Sequence, residues 1–261
     1  MTEKLNVFDP RTYDDVYGGF IVDVPEVVAL LKQAGGRVLE VCCGNGRLLI
    51  PALHAGVEAD GLDLEAGMLD DLRVKLAARK LNARLFRADM RDFALADRYA
   101  TILIAFNSFF HNLTQSDQIA TLTTCRRHLL PGGRLAIIAF HPSAPLLIQY
   151  GSGTPVMVEE PHGDGRLRVH DSSTQDRVEQ VSHATRLMEY VDREGRVVRS
   201  GTASFDIRYV YKPEMELLFR VAGFDRWQTR PLFTNYRDPE SVVTGRGAME
   251  GDHLLYTAWN S

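Results

Sequence analysis

The chain has little of what marks a secreted, metal-stabilised or membrane protein. It contains only 3 cysteines in 261 residues, two of them adjacent, so neither a disulfide framework nor a Cys-x-x-Cys metal site is expected. Its longest apolar runs, such as 99–106, are far shorter than the roughly 18 residues that cross a bilayer, and its polar start lacks the apolar centre of a signal peptide. These shortages predict a cytoplasmic protein with no bound metal and no membrane contact.

An excess of one charge sign is also lacking. The 30 basic and 34 acidic side chains leave a formal net charge of −4, and no block of like charges forms a tail or a basic stripe for phosphate contacts. This balance weighs against nucleic acid and favours a small-molecule partner. With 45% hydrophobic residues the chain can bury a full core as one domain with an insertion. Whether it forms a homo-oligomer is left open.

Predicted strands and helices alternate along residues 23–140, which is typical of an α/β fold with a doubly wound, mostly parallel sheet. The pattern predicts strands at 38–41, 59–62, 83–87, 100–105 and 134–140, and helices at 23–36, 46–54, 66–80 and 117–130. A further helix at 213–222 and two terminal strands near 226–233 and 253–259 complete a seven-stranded sheet.

Between about 155 and 212 the apolar pattern changes from helical spacing to alternation, most clearly at Phe205, Ile207, Tyr209 and Tyr211. We therefore expect an antiparallel β insertion over 151–212 that forms a wall for a substrate. The cofactor-binding core would then comprise 23–150 and 213–261, and residues 1–22 would form an N-terminal lid segment. Alternation alone does not tell which face of the insertion looks inward.

The segment 37–51 predicts a ligand-binding turn after the first strand of the core. Gly44 and Gly46 let the backbone approach a ligand, and the next helix directs its free N–H groups to the same place. A dinucleotide fingerprint would need a third glycine where the chain has Leu49, which disfavours a nicotinamide-dependent oxidoreductase. Glu40 would repel a pyrophosphate but suits a ligand with an ammonium group, such as S-adenosylmethionine.

Four segments together resemble the class I S-adenosylmethionine-dependent methyltransferases in order and spacing. They are 40–47, 61–68, 87–92 and 131–133, and the likeness covers about residues 36–140. Within that superfamily the chain looks most like the small-metabolite enzymes whose antiparallel insertion follows the fifth strand, as in glycine and amino-sugar N-methyltransferases. The resemblance implies a Rossmann-like fold and S-adenosyl-L-methionine as methyl donor, with S-adenosyl-L-homocysteine as product.

The resemblance also implies cofactor roles for side chains after three successive strands. Asp63 would accept both ribose hydroxyls, Asp89 would accept from the adenine amino group, and Met68 would pack on the base. Each has an alternative, since a carboxylate after a strand can simply cap a helix and a methionine is often a core residue. The full expected cofactor set is Tyr13, Glu40, Cys42, Gly44, Gly46, Arg47, Asp63, Leu64, Met68, Asp89, Met90, Arg91, Phe106 and Asn107.

The methyl acceptor is expected at 105–112, because open parallel sheets bind ligands beyond the carboxyl ends of their strands. Aromatic rings there would form a water-excluding slot whose faces favour a sulfonium, although each ring can equally be a core residue. A neutral histidine can take a proton from the attacking group. The expected catalytic residues are His111, Tyr17 and His141, and the expected acceptor contacts are Tyr17, Phe20, Phe109, Phe110, His111, Arg208 and Tyr209.

The aromatic cluster of Tyr13, Tyr17 and Phe20 precedes the core. In similar methyltransferases this segment closes over the cofactor, which predicts contact with the methionine end or the acceptor. The competing interpretation is a hydrophobic staple for the helix that begins near Asp23.

The position of the insertion and the lack of a metal-ligand cluster favour nitrogen over oxygen as the accepting atom. Five alternatives stay open: an O-methyltransferase, a nicotinamide-dinucleotide-dependent oxidoreductase, a protein that binds the cofactor without transferring methyl, an aminopropyl-type transferase, and a macromolecule methyltransferase.

Overall fold

A computed structural model describes residues 3–144, 147–148, 156–232 and 253–260, which fold around two β-sheets. In chain order the elements are β1 (Glu3–Lys4), α1 (Pro10–Tyr17), α2 (Val24–Ala34), β2 (Val38–Val41), α3 (Leu49–His54), β3 (Ala59–Asp63), α4 (Ala66–Arg79), β4 (Leu85–Arg87), β5 (Tyr99–Ile104), a 3-10 turn (Ser108–His111), α5 (Gln115–Arg127), β6 (Leu129–Phe140), β7 (Val156–His162), β8 (Gly165–Asp176), β9 (Val181–Val191), β10 (Val197–Arg208), α6 (Lys212–Val221), β11 (Arg226–Leu232) and β12 (His253–Trp259).

The larger sheet has seven strands in the order β11-β12-β6-β5-β2-β3-β4. Strands β2 to β6 pair in parallel, and β12 and β11 are added antiparallel at one edge. Every residue of β2 is buried, as expected for a central parallel strand covered on both faces. The doubly wound α/β fold predicted from the sequence is therefore confirmed.

Most predicted elements are present, and the differences lie at their ends. The strands predicted at 38–41 and 253–259 have these bounds in the structure. The helix predicted from Gly46 begins at Leu49, because residues 44–48 are used to make the glycine turn. The strand predicted at 83–87 is reduced to the three residues of β4.

The second sheet contains the antiparallel insertion, with strands in the order β1-β10-β9-β8-β7. Strands β7 to β10 pair antiparallel with their neighbours, which confirms the β insertion. The N-terminal segment, expected as a separate lid, contributes strand β1, which pairs in parallel with β10 through Glu3 and Gly201. The predicted boundary at 150–151 lies outside the described residues.

Helix α1 is hydrogen-bonded both to the core and to the insertion sheet. On the core side Asp14 accepts hydrogen bonds from Asn45 at 2.8 Å and from Lys75 at 2.7 Å. On the insertion side Asp15 accepts from the Tyr190 hydroxyl at 2.6 Å. Within the described parts of the chain, no helix combines the length and apolar character needed to cross a bilayer.

Candidate functional site

One cavity of about 470 Å³ lies at the carboxyl ends of the parallel strands and extends beneath the insertion sheet. The carboxyl ends of parallel strands meet at one edge of the sheet, so side chains that are distant in sequence converge there. Predicted site residues that line the cavity are Tyr13, Tyr17, Cys42, Gly44, Asp63, Leu64, Met68, Met90, Phe106, Asn107, His111 and Tyr209.

Asp63 and the glycine turn form the polar end of the cavity. The Asp63 carboxylate accepts hydrogen bonds from the backbone N–H of Gly44 at 2.7 Å and of Glu65 at 2.9 Å. Gly44 has a positive φ of 53°, and a Cβ there would meet no atom within 4 Å, so its backbone borders open space. Burial raises the pKa of Asp63, while these backbone N–H groups lower it. The carboxylate keeps further lone pairs for a ligand in the cavity.

Apolar, polarisable side chains flank this polar end. The Cys42 thiol lies 3.7 Å from the Met90 sulfur, and both residues line the cavity together with Met68 and Leu64. Sulfur-containing and aliphatic side chains of this kind pack well on a flat ring. These side chains follow the ends of β2, β3 and β4 and lie together at this end of the cavity.

Three residues around the cavity have left-handed backbone that non-glycine residues seldom adopt. They are Cys42, Phe106 and Asn107, with φ of 61°, 53° and 65°. The Asn107 side-chain oxygen accepts from the Phe140 backbone N–H at 2.8 Å, which ties the end of β5 to the end of β6. Backbone strain of this type persists where surrounding structure enforces it, and it is concentrated at functional sites.

Aromatic rings dominate the other end of the cavity. Tyr17 contacts Phe106 edge to face with ring centres 5.0 Å apart. His111 packs against Phe8 at 5.5 Å and against Phe205 at 6.4 Å. This end can hold an apolar or cationic group and exclude water from it.

His111 is open to the cavity but lies among protein atoms that disfavour its charged form. This burial lowers the pKa of His111, and a hydrogen bond to the backbone of Asp206 acts in the opposite direction. A neutral imidazole that donates one N–H to a backbone carbonyl presents its second nitrogen as an acceptor. The side chain is therefore equipped to take a proton.

The sequence analysis missed a polar wall on β8 and β9. Arg186 donates from Nε and Nη2 to the two Asp171 oxygens at 2.7 and 2.6 Å, and from Nη1 to the Tyr17 hydroxyl at 2.7 Å. Both Asp171 and Arg186 line the cavity, beside Ser173, Gln175 and Ser182. Alternation within β8 and β9 could have suggested one polar face, but only the register between the strands brings Asp171 opposite Arg186.

The structure does not bring Phe109, Phe110 and Arg208, which were predicted to contact the acceptor, to the cavity surface. Both phenylalanines are completely buried in the hydrophobic core, because the 3-10 turn after β5 directs them away from the cavity. Arg208, the last residue of β10, is outside the cavity lining, whereas its neighbours Ile207 and Tyr209 are part of it. It bonds to Gln118 at 2.9 Å and to Glu214 at 2.8 Å, which joins the insertion to α5 and α6.

The predicted cofactor contacts of Gly46, Arg47 and Glu40 lie outside the cavity lining. A Cβ on Gly46 would stand 2.4 Å from a methyl group of Leu72, so this glycine serves helix packing. Arg47 is engaged in an ion pair with Asp23. Glu40 is buried below the turn, and burial raises its pKa to about 8 against the opposing effect of Arg47.

The remaining predictions off the cavity surface are Asp89, Arg91, Phe20 and His141. The Asp89 carboxylate accepts from the Arg91 guanidinium at 2.6 Å, so each neutralises the other. The Phe20 ring packs on Phe106 with centres 5.5 Å apart, behind the cavity wall. The His141 ring faces Tyr211 at 6.5 Å. Among the described residues, no three His, Cys, Asp or Glu side chains are grouped to hold a metal ion.

Part of the chain is similar in sequence to known methyltransferases. Residues 38–133 match the family model described as "Methyltransferase domain". The chain is 30% identical over 132 residues to dTDP-3-amino-3,6-dideoxy-alpha-D-glucopyranose N,N-dimethyltransferase of Streptomyces fradiae, covering 48% of this chain and 50% of that protein. The chain spans about half the length of the curated relatives it matches.

Two solved structures are similar over nearly the whole chain. Streptomyces venezuelae DesVI has a TM-score of 0.75 at 18% identity, with 99% of this chain and 100% of that chain covered. CalS10 from Micromonospora echinaspora, an amino pentose methyltransferase solved with S-adenosylmethionine bound, has a TM-score of 0.72 at 18% identity, with 100% and 99% covered. At these identities the likeness establishes the shared fold.

Proposed function

We propose that this chain is a class I S-adenosylmethionine-dependent methyltransferase and that it transfers a methyl group to the nitrogen of a small amine-bearing metabolite. The observation that carries the proposal is a single cavity with two chemically different ends. Asp63 and the Gly44 backbone stand at one end, and the rings of Tyr17 and Phe106 with the His111 imidazole stand at the other. A donor and an acceptor held in one cavity can be aligned for direct transfer.

The residues present fit S-adenosylmethionine. The Asp63 carboxylate suits the two ribose hydroxyls, and the open space beside Gly44 lets backbone approach the ligand. Cys42, Met68 and Met90 suit the faces and edges of an adenine ring. Among the described residues that line the cavity, the carboxylates of Asp63, Glu65 and Asp171 outnumber the guanidinium of Arg186, which favours a cationic ligand.

When bound, the cofactor supplies an electrophilic methyl group on a sulfonium. The residues of the chain align the methyl donor with the acceptor, exclude water and receive a proton. The rings of Tyr17 and Phe106 stabilise positive charge between the two ends of the cavity and leave little room for water. An amine nitrogen that accepted this methyl group would have to lose a proton. The neutral His111 imidazole is the group that can accept this proton.

Two observations support an amino sugar as the acceptor. The Streptomyces fradiae relative is named as an N,N-dimethyltransferase of a dTDP-linked 3-amino sugar, and CalS10 as an amino pentose methyltransferase. In this chain, the wall formed by Ser173, Gln175 and Ser182 faces the cavity with hydroxyl and amide groups that suit a hydroxylated acceptor.

The test combines binding and turnover. Calorimetry with S-adenosylhomocysteine should give saturable binding, and NADH should give none. Incubation with methyl-labelled S-adenosylmethionine and dTDP-3-amino-3,6-dideoxyglucose should yield product with one or two added methyl groups, which mass spectrometric fragmentation should locate on nitrogen. Binding of the cofactor product without transfer to any amino sugar in a panel would contradict the substrate class. Failure to bind the cofactor product would contradict the function itself.

A further inference from the structure

Arg186 is a buried cation inside the cavity that the proposed methyl transfer does not use. Its side chain is only 5% exposed, and it stands on β9 directly opposite Asp171 on β8. Although burial acts to lower it, the pKa of Arg186 is raised by its neighbours Tyr17 and Asp171. The guanidinium is thus permanently charged, and the two bonds to one carboxylate fix its plane.

The third bond of Arg186 reaches outside the insertion. Nη1 donates to the Tyr17 hydroxyl at 2.7 Å, and Tyr17 is the last residue of α1. The donor therefore belongs to a rigid sheet, whereas the acceptor belongs to the end of a short helix. A charged donor makes a stronger bond than a neutral one, so this contact ties the helix end to the sheet.

The Tyr17 ring is held from its other sides by the core. It meets Phe106 at 5.0 Å edge to face and Tyr13 at 5.0 Å. Phe106 is one of the residues with left-handed backbone at the end of β5. Tyr17 therefore lies where α1, β5 and the insertion meet, and Arg186 determines where its hydroxyl is placed.

We propose that Arg186, anchored by Asp171, is a positioning residue that acts through Tyr17 and sets the geometry of the methyl-transfer end of the cavity. The inference rests on the proposed function. In-line displacement depends on alignment, and a misplacement of about 1 Å can lower a rate about 100-fold. Loss of Arg186 removes the hydrogen bond that fixes the Tyr17 hydroxyl, while Asp63 and Gly44 at the cofactor end keep their contacts.

The kinetic test is a double-mutant cycle on methyl transfer to the dTDP-linked amino sugar. Arg186→Met should lower kcat about 10- to 100-fold, with little change in the Kd for S-adenosylhomocysteine. Tyr17→Phe should lower kcat similarly, and Arg186→Met in the Tyr17→Phe background should cause no further loss. Arg186→Lys, which keeps one charged donor, should recover part of the activity and guards against misfolding of the Met variant. Independent, multiplying losses would overturn the proposal.

A second measurement separates this inference from the proposed function, because it needs no turnover. With 3-fluorotyrosine placed at position 17, the fluorine resonance of the folded protein should shift or broaden in Arg186→Met. It should not change in Arg199→Met, which removes an exposed arginine of the same sheet that packs on Tyr190 with its guanidinium 5.0 Å from the ring centre. An unchanged resonance in Arg186→Met would overturn the positioning role even if no acceptor were methylated.

Discussion

Arg47 and Asp23 form a bidentate ion pair in which Nη1 donates to Oδ1 and Nη2 donates to Oδ2, the second at 2.7 Å. The two side chains are only 9% and 6% exposed. Arg47 also donates to the Phe20 carbonyl at 3.1 Å and lies 4.2 Å from the centre of the Phe106 ring. Asp23, placed by the sequence at the cap of α2, makes no side-chain cap bond and instead joins the N-terminal segment to the glycine turn.

Removing one partner of this ion pair should be costly. Arg47→Met leaves the Asp23 carboxylate buried without its cation, so we expect the free energy of unfolding to fall by about 3–5 kcal/mol. Urea unfolding measures the change. The double variant Arg47→Met/Asp23→Leu should recover most of the loss, because apolar residues can replace a buried pair.

The control is Arg166→Met, since the Arg166–Glu159 pair has side chains 66% and 24% exposed. This change should cost less than about 1 kcal/mol. A double variant no more stable than Arg47→Met would show that the pair contributes through something other than charge compensation.

The buried Glu40 should make stability depend on pH. Burial raises its pKa from 4.5 to about 8, so the folded protein holds this proton more tightly than the unfolded chain does. The contribution to stability is therefore complete at low pH and is lost as the pH rises through about 8. Glu40→Gln keeps the shape and removes the titration. We expect the Tm of the native protein to fall relative to Glu40→Gln between about pH 5 and pH 8.

The exposed Glu58 supplies the control for that experiment. The Tm of Glu58→Gln should follow the native curve throughout the same range. Parallel Tm curves for the native protein and Glu40→Gln would mean that Glu40 is ionised in the folded state.

The sequence could predict which residues meet at one edge of the larger sheet, because parallel strands align their carboxyl ends. Gly44, Asp63 and Met90 lie at or just after the ends of three different strands, and the strand order brings them together. The polar wall on β8 and β9 could not be predicted in the same way, because alternation within each strand does not give the register between the two strands. The register of β8 against β9 pairs Asp171 with Arg186, and it is fixed by tertiary packing.

The phenylalanines after β5 are a second case in which residue spacing was not enough to predict which side chains line the cavity. Phe106 and Phe109 are equally plausible ring contacts in the sequence. The left-handed backbone at Phe106 and Asn107 followed by a 3-10 turn directs Phe106 to the cavity and Phe109 into the core. Residue spacing does not predict a change of backbone handedness, so the sequence could not separate the two.

This difference between buried and lining aromatic residues can be tested with two matched substitutions. Phe109→Ala empties a fully buried site and should reduce the free energy of unfolding by about 3–5 kcal/mol. Phe8 is 39% exposed and lines the cavity, so Phe8→Ala should cost about 1 kcal/mol or less and raise KM for the acceptor. Chemical unfolding and steady-state kinetics measure the two effects. A stability loss for Phe8→Ala as large as that for Phe109→Ala would assign Phe8 to the core.

Asp63 should carry much of the cofactor affinity. Asp63→Asn keeps the side-chain shape but removes the charge that strengthens hydrogen bonds from the ribose hydroxyls. Hydrogen bonds to charged groups contribute about 1.5–3 kcal/mol, so the Kd for S-adenosylhomocysteine should rise about 10- to 100-fold by calorimetry. Asp70→Asn on α4, where the carboxylate is 71% exposed, should leave the Kd unchanged. Equal affinity for both variants would remove Asp63 from the cofactor site.

His111 should affect turnover rather than cofactor binding. Because burial lowers the pKa of His111 below its ordinary value of 6.5, the imidazole is neutral at pH 7 and can accept a proton. His111→Ala should lower kcat at least about 10-fold, with the Kd for S-adenosylhomocysteine nearly unchanged. In the native protein kcat should fall on the acid side as the imidazole becomes protonated, and this decline should be absent from the residual kcat of the variant.

His183→Ala is the matched control, since His183 is exposed and pairs with the Asp206 side chain at 2.9 Å. If His111→Ala and His183→Ala behaved alike, the proton would have to leave directly to water.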